Sequence, residues 1–598
     1  MSAVDSWADA PSNPVPTEPA KLSSIPPPLA QTSYIGVPPA LLRDLVETYF
    51  SHAYNAPLLL HKQTFLNEVS EGTVKPWVAL AVCAFASSFH RNSNGDLLLK
   101  SSGFGVEWAE RAGKLVFDVI ESPHEDNVVT CLILALFWYQ QGSWQRSYIH
   151  KGNAVQTAHL LGMGKQPRLD RQTLRAELRR RRFWACYLIE CHTSNSTHVL
   201  DASDHIYSLP LPWTEEEFEN AKSEQPDVLL ACEQSTGGIF CEMIRALWFW
   251  AQVYRLIKTP ELQHEVSIHD IHSLDTKISD WWSRIPDWMK LNPGDLARTP
   301  PACLPRLLLV HAVYRQCLCA LHSSIIPLFS WGRDGKSSLL ARQISAQAAY
   351  EHASAASELF STIFEYLPDP NAMPSFVAYN AYCGCAIQVP FMSSPNTAVR
   401  ERAVRNVETN RRVIHLVAQS WKYADLLDRY SSYLLAVFEK HPVSLTGEPK
   451  HLEASTFRGL RAPAPRARLS ILSHNRMVCE DDCWSLPGEE PKDLDFEHPQ
   501  EDQSTSPSGA EPHAGAMAKN QAAATIMSGV PQLHNPTVHF QQMFGGFDGQ
   551  LPDASGSFLG GTDIFVPWNS SDEANADLAL FDMGVLNGTS ADLLSYPG

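Results

Sequence analysis

The stretch RAGKLVFDVIESPHEDNVVTCLILALFWYQQGSWQRSYIHKGNAVQTAHLLGMGK, Arg111 to Lys165, decides the fold. It reads as three helices divided by breakers. Residues 106–121 are amphipathic and end before Pro123, whose ring cannot continue a helix. Asn127 to Gln141 is apolar on every side, as in a helix buried all round, and Gly142 stops it. Trp144 to Leu161 follows and is stopped by Gly162 and Gly164. The longest apolar run, Val128 to Tyr139, has 12 residues, too few to span a bilayer.

Outward from this block the texture persists. Upstream, PALLRDLVETYFSHAY spaces Leu41, Leu42, Leu45, Val46 and Tyr49 as a helix with Pro39 near its start, and Lys75-Pro76 opens an apolar run from Trp77 to Phe89. Downstream, helices are predicted at 172–192, 237–258, 266–284, 302–323, 337–366, 375–387 and 397–439. Period-two alternation is nearly absent, and the one Asn-Gly pair of the body, Asn94-Gly95, falls between helices. The fold class is all-α, a large multi-helix body with no fixed repeat period.

The chain has 598 residues and a formal net charge of −18. The charge is unevenly placed. Residues 477–598 carry 19 Asp or Glu against Lys492 and Lys519, so the rest of the chain is close to neutral. A nearly neutral body is a poor nucleic-acid platform. The 13 cysteines, an odd number set mostly in apolar runs, fit buried free thiols in a reducing compartment. The N-terminus shows no basic and apolar leader pattern. A soluble intracellular protein with no membrane partner is expected.

The ends differ from the body. Residues 1–40 hold nine prolines and no arginine, and are expected to be disordered. Residues 446–476 read as a basic, proline-containing linker; Arg458, Arg461, Arg466 and Arg468 (with Arg476) are the candidate nuclear-import residues. Residues 477–598 form an acidic tail expected to be disordered. Its last part, 562–598, sets Phe565, Trp568, Leu578, Phe581, Leu593 and Leu594 among aspartates and Glu573. Repulsion between carboxylates keeps such apolar groups apart and available to a partner's groove, the compositional mark of an activation segment. A short helix at 576–586 is expected on contact.

Motifs for chemistry are sparse. No CxxC occurs, and Cys317–Cys319 and Cys383–Cys385 point to different faces of their helices. Gly335-Lys336-Ser337 resembles the end of a phosphate loop, but Ser330 stands where the first glycine would be. GxSxG, HExxH and GxGxxG are absent, and His150, His159 and His322 are isolated on helices. No catalytic residue, cofactor or metal site is expected, and the chain is not read as an enzyme.

The dense basic run is Arg179 to Arg182 in QTLRAELRRRRFWACYLIE. Leu174, Leu178, Arg181, Ala185 and Leu188 share one face, so Arg181 falls in an apolar stripe and needs a buried carboxylate. That structural reading is favoured over an import signal or phosphate contact.

These blocks together resemble the fungal-specific transcription factor domain, the middle homology region of the fungal zinc-cluster regulators. The resemblance rests on Arg111 to Lys165, on LRRRRFWACYLIECHTS (Leu178 to Ser194) with the following LPLPW, on PLLLHKQTF (Pro57 to Phe65) and on LPRLLLVHAVYRQCLCALHSSI (Leu304 to Ile325). In the family motif, Arg180, Arg181, Arg182, Phe183 and Trp184 are structural. The resemblance implies a regulatory domain over 41–445 in a nuclear regulator, an activator of a metabolic or secondary-metabolite gene cluster. The family's usual N-terminal zinc cluster and coiled coil have no counterpart in these residues. DNA is then reached through a DNA-bound partner, such as another zinc-cluster factor, or through a cluster region missing from this sequence. Coactivators or other transcription machinery are the expected partners of the tail. The alternative function is a partner-binding inhibitor or scaffold of other zinc-cluster factors.

Overall fold

The computed structural model describes residues 35–165, 173–193, 206–258, 266–331, 337–462 and 471–472, apart from the single positions 208, 293, 295, 368 and 444. The described residues belong to one unit, Met1–Gln500. The expectations for residues 1–34, for the acidic tail and for its activation segment lie outside the described residues.

Eighteen α-helices and no β-strand occur among the described residues. In chain order they are α1 (Pro39–His52), α2 (Ala56–Leu59), α3 (Lys62–Glu71), α4 (Pro76–Ser87), α5 (Leu98–Ser101), α6 (Phe104–Asp118), α7 (Glu125–Gln140), α8 (Trp144–Leu160) and α9 (Leu174–Thr193). The second half holds α10 (Glu215–Glu219), α11 (Ile239–Lys258), α12 (Ile268–Arg284), α13 (Leu304–Ser323), α14 (Pro327–Ser330), α15 (Leu339–Ile363), α16 (Ser375–Gln388), α17 (Thr397–Ala418) and α18 (Lys422–Lys440). The all-α class read from periodicity is the class observed.

Two hubs organise the body. Helix α7 starts under a His124 cap with Glu125 and Asp126 in its first turn, where carboxylates oppose the helix dipole. Every residue from Asn127 to Gln140 is buried, and α4, α6, α8 and α9 pack around it. Each fully buried leucine or isoleucine there contributes roughly 1.5–3 kcal/mol of transfer free energy. The second hub is α13 with α16, enclosed by α11, α15, α17 and α18. Contacts of α9 with α11 and of α18 with α7 join the halves. Close packing inside the second hub uses Gly384 of α16. A Cβ at this position would lie 2.6 Å from the Asn410 amide nitrogen on α17.

Three boundaries differ from the sequence reading. The ordered chain begins before residue 41: Ile35 and Val37 are buried, and Arg111 donates to the Ile35 carbonyl (3.0 Å). The single helix expected over 397–439 is two helices. Trp421 is extended (φ −124°, ψ 114°), and its buried indole donates to the Met373 carbonyl (3.2 Å), a tertiary contact with no local breaker to announce it. The linker expected from 446 packs over its first part. Leu452 and Phe457 are buried, Gln343 of α15 donates to the Pro449 carbonyl (3.2 Å), and Gln347 accepts from the Lys450 amide (2.9 Å). Ile471 is buried too, its carbonyl accepting from the Tyr379 hydroxyl. Apolar residues spaced among the prolines supply that anchoring without helical periodicity.

Candidate functional site

The Arg179–Arg182 run lies on α9, where four successive residues necessarily face all sides of the helix. Arg181 is fully buried, and so is Glu177 one turn before it. The Arg181 Nε donates to Glu177 Oε1 (2.7 Å), Nη2 to the Trp213 carbonyl (2.7 Å) and Nη1 to the Pro57 carbonyl (3.3 Å). The same Glu177 oxygen accepts the Trp213 amide (2.8 Å). The Arg181 guanidinium lies over the Phe218 ring, 3.7 Å from its centroid. Burial pushes the Glu177 carboxyl above its ordinary value, while Arg181 and Arg180 pull it back down. A buried ion pair is tolerated only where its remaining donors and acceptors are satisfied, and here three backbone groups complete it.

The neighbouring arginines extend the network. Arg180 sits 3.2 Å from both Glu177 and Asp227. Arg179 and Arg182 share the carboxylate of Glu125 at the start of α7 (2.7 and 2.9 Å), and Arg182 also donates to the Leu59 carbonyl (3.0 Å). Trp184 donates to the Pro210 carbonyl (2.9 Å), and Phe183 is buried beside it. The five motif residues thus tie α9 to α2, α7 and the 209–213 segment. The guanidiniums of Arg179 to Arg182 are all engaged by carboxylates of the fold, which argues against this run as a contact for a phosphate backbone or an import receptor.

A second buried pair escaped the sequence reading. On α11, Glu242 accepts from Arg245 (2.8 Å), from the Ser235 hydroxyl (2.7 Å) and from the Trp281 indole of α12 (2.8 Å). Arg245 also donates to the carbonyls of Cys232 (2.9 Å) and Gln234 (2.8 Å). Glu and Arg three residues apart inside the apolar run FCEMIRALWFW was the available signal. The partner carboxylates Glu177 and Glu125 also went unnamed, although Glu177 lies one turn from Arg181 on the same face.

His322 is not isolated. Its ring lies 3.3 Å from the Ser345 hydroxyl and 3.5 Å from Asp275. Serine, histidine and aspartate in a row suggest a hydrolytic triad, but Ser345 is 1% exposed and out of reach of a substrate. The cluster instead joins α12, α13 and α15. Nearby, Arg315 donates to His352 (2.8 Å), and burial pulls His352 down to about 3. The paired thiols Cys317, Cys319, Cys383 and Cys385 are buried, and burial pushes each of them up, away from the reactive thiolate.

Of the import candidates, Arg458 and Arg461 are exposed, and Arg466 and Arg468 lie outside the described residues. The six candidate activation residues, Phe565 to Leu594, lie outside them as well. No helix among the described residues is long and apolar enough to cross a membrane.

Comparison with known proteins places the described helices beside a known family. The family described as the fungal specific transcription factor domain matches residues 46–283. The Zn(2)-C6 fungal-type transcription factor FTF1c of Fusarium oxysporum f. sp. lycopersici is 26% identical over 239 residues, 35% of this chain and 25% of that protein. A longer alignment to it runs over 407 residues at 23% identity, 61% of this chain and 42% of that protein. An uncharacterized transcriptional regulatory protein of Schizosaccharomyces pombe is 30% identical over 205 residues, 31% of this chain and 20% of its own length. These alignments span between a fifth and about two fifths of the relatives' own length. No solved structure matches. Residues 46–283, whose first half wraps α7 and whose arginine helix locks that half to the next, are thus the part of the chain that matches the fungal specific transcription factor domain.

Proposed function

We propose that this protein acts in the nucleus as a transcriptional activator whose helical body receives a partner and whose acidic tail engages coactivators. Regulation of transcription is the family's role; the activator role, the tail's partners and the control of a metabolic gene cluster are the proposal. The observation that carries it is the partition of charge: nearly all the net negative charge lies in 477–598, and 562–598 interleaves Phe565, Trp568, Leu578, Phe581, Leu593 and Leu594 with carboxylates. The arginine run supports the reading by exclusion, because its guanidiniums bind carboxylates and carbonyls of the fold itself. DNA is then reached through a partner factor or a zinc-cluster region, and the exposed Arg458 and Arg461 are the starting point for nuclear entry.

The test tethers the full chain to a heterologous DNA-binding domain upstream of a reporter. Strong reporter output is expected, with at least a tenfold loss when the six bulky residues are changed to alanine. Output that survives those six changes would sink the activator reading. A chain shortened at residue 476 that keeps the whole regulatory effect would favour the inhibitor or scaffold instead.

A further inference from the structure

A groove of about 480 Å³ opens between α1, α3, α10 and the start of α13. That volume lies within the roughly 300–1,000 Å³ of small-molecule sites. Its apolar lining comes from Phe50, Leu60 and Phe218, all buried. A smaller cleft of about 230 Å³ shares Phe50, Ser51, Ala302 and Arg306 with it and prolongs it along α1.

The polar groups of the groove sort by what already engages them. Lys62 pairs with Glu47 at the rim (2.7 Å). Arg181 is consumed by Glu177 and two carbonyls. Glu215 caps α11, accepting from the amides of Ile239 (3.0 Å) and Phe240 (3.1 Å). Two donors remain. Arg306 makes one hydrogen bond, to the Tyr54 carbonyl at 3.3 Å, and lies over Phe240 with 5.5 Å to the ring centroid. A guanidinium carries five N–H donors in a fork matched to a carboxylate. Burial pulls Arg306 below its ordinary value, with Glu215 first among the groups opposing that pull. It is a half-buried cation with no carboxylate in salt-bridge contact among the described residues; Glu215 and Glu219 of the groove act on it from further off.

His61 is the second donor. The residue is 8% exposed, and its Nδ1 accepts from the Thr64 amide (3.3 Å) as the cap of α3. Nδ1 also lies 2.8 Å from the Thr64 hydroxyl, which can donate to it; with Nδ1 as the acceptor of both, the neutral ring carries its proton on Nε2, for which the described residues offer no hydrogen-bond partner. The ring stands edge-on to Phe218, with 5.0 Å between centroids. The groove therefore combines an apolar wall, an under-used guanidinium and an imidazole N–H.

We infer that this groove binds a small organic carboxylate with an apolar or aromatic body, its carboxylate held by Arg306 and by the Nε2–H of His61 and its body lying against Phe50, Leu60 and Phe218. The inference concerns binding and stands independently of the activator reading.

The test is calorimetric titration of the full chain with indole-3-propionate, 4-phenylbutyrate and octanoate, each beside its neutral amide. At least one carboxylate is expected to bind, with its amide weaker by tenfold or more. In Arg306→Gln, and to a lesser degree in His61→Gln, the preference for the carboxylate is expected to vanish while the melting temperature stays near that of the parent. Equal binding of acid and amide to the unmodified chain would overturn the inference, as would no binding by any of the three acids. An Arg306→Gln chain that folds and keeps full carboxylate affinity would overturn it as well. The acid–amide comparison on the parent chain decides the matter even if a variant fails to fold.

Discussion

The two buried arginine–glutamate pairs occupy similar helices and do different work. On α9, Arg181 reaches carbonyls at Pro57 and Trp213, far away in sequence on both sides. On α11, Arg245 reaches Cys232 and Gln234, only a loop away, and Glu242 reaches forward to Trp281. The first pair closes the topology of the domain, and the second fastens a local loop and one neighbouring helix. An ion pair's structural importance is thus set by which backbone groups complete it, more than by its charges, because the Coulombic gain and the desolvation cost nearly cancel.

Arg181→Met tests the contrast most severely. It strands a buried carboxylate and orphans two carbonyls, with an expected cost of about 3–5 kcal/mol. Loss of soluble protein, or a large drop in melting temperature, is the expected result. Adding Glu177→Gln to it should recover part of that loss, and an Arg181→Met chain with an unchanged melting curve would refute the assignment.

Glu242→Gln should cost less, about 1.5–3 kcal/mol for lost charge-assisted hydrogen bonds. Hydrogen exchange should localise the damage to 232–238 and α12, leaving α2 and α9 protected. Spread of the damage to α9 would erase the distinction between the pairs.

Acid separates the halves in another way. Burial pulls His311 and His352, both in the second half, down to about 3, and His150, in the first, down to about 4. Such rings stay neutral in the native state and take up protons when unfolded, near pH 6.5. Their contribution is fully present above that value and is lost progressively as pH falls towards 3–4. Each histidine therefore contributes a decline of up to about 1.4 kcal/mol per pH unit within this window. Melting temperatures measured from pH 7 to pH 5 should fall, and His311→Asn should flatten the slope.

The smallest effect is expected at the surface. Arg146 and Glu110 pair at 3.0 Å with both side chains about half exposed, and Arg146→Ala should shift stability through that ion pair by about 1 kcal/mol or less. A larger loss would show that its stacking on Trp138, 4.4 Å from the ring centroid, matters more than its charge.

What the sequence disclosed follows the range of the forces involved. The boundaries of α7 were legible because its punctuation, Pro123 and Gly142, is local. Arg181 was legible because a charge in an apolar stripe demands a partner wherever it lies. The break at Trp421 was hidden, since no glycine or proline marks it and the Met373 carbonyl that holds the indole is distant in the chain. The groove at His61 and Arg306 was hidden for a similar reason: its walls come from segments that meet only after folding. The uncommitted state of its donors can be seen only when every other partner has been counted.

The acceptors gathered by Arg181 also constrain how the protein is made. During synthesis the carbonyl of Pro57 leaves the ribosome long before Trp213 does. Until both have emerged, the guanidinium between them has no complete set of mates. A nascent chain interrupted anywhere short of the second acceptor should remain a client of chaperones, however much of its hydrophobic helix bundle has already been translated.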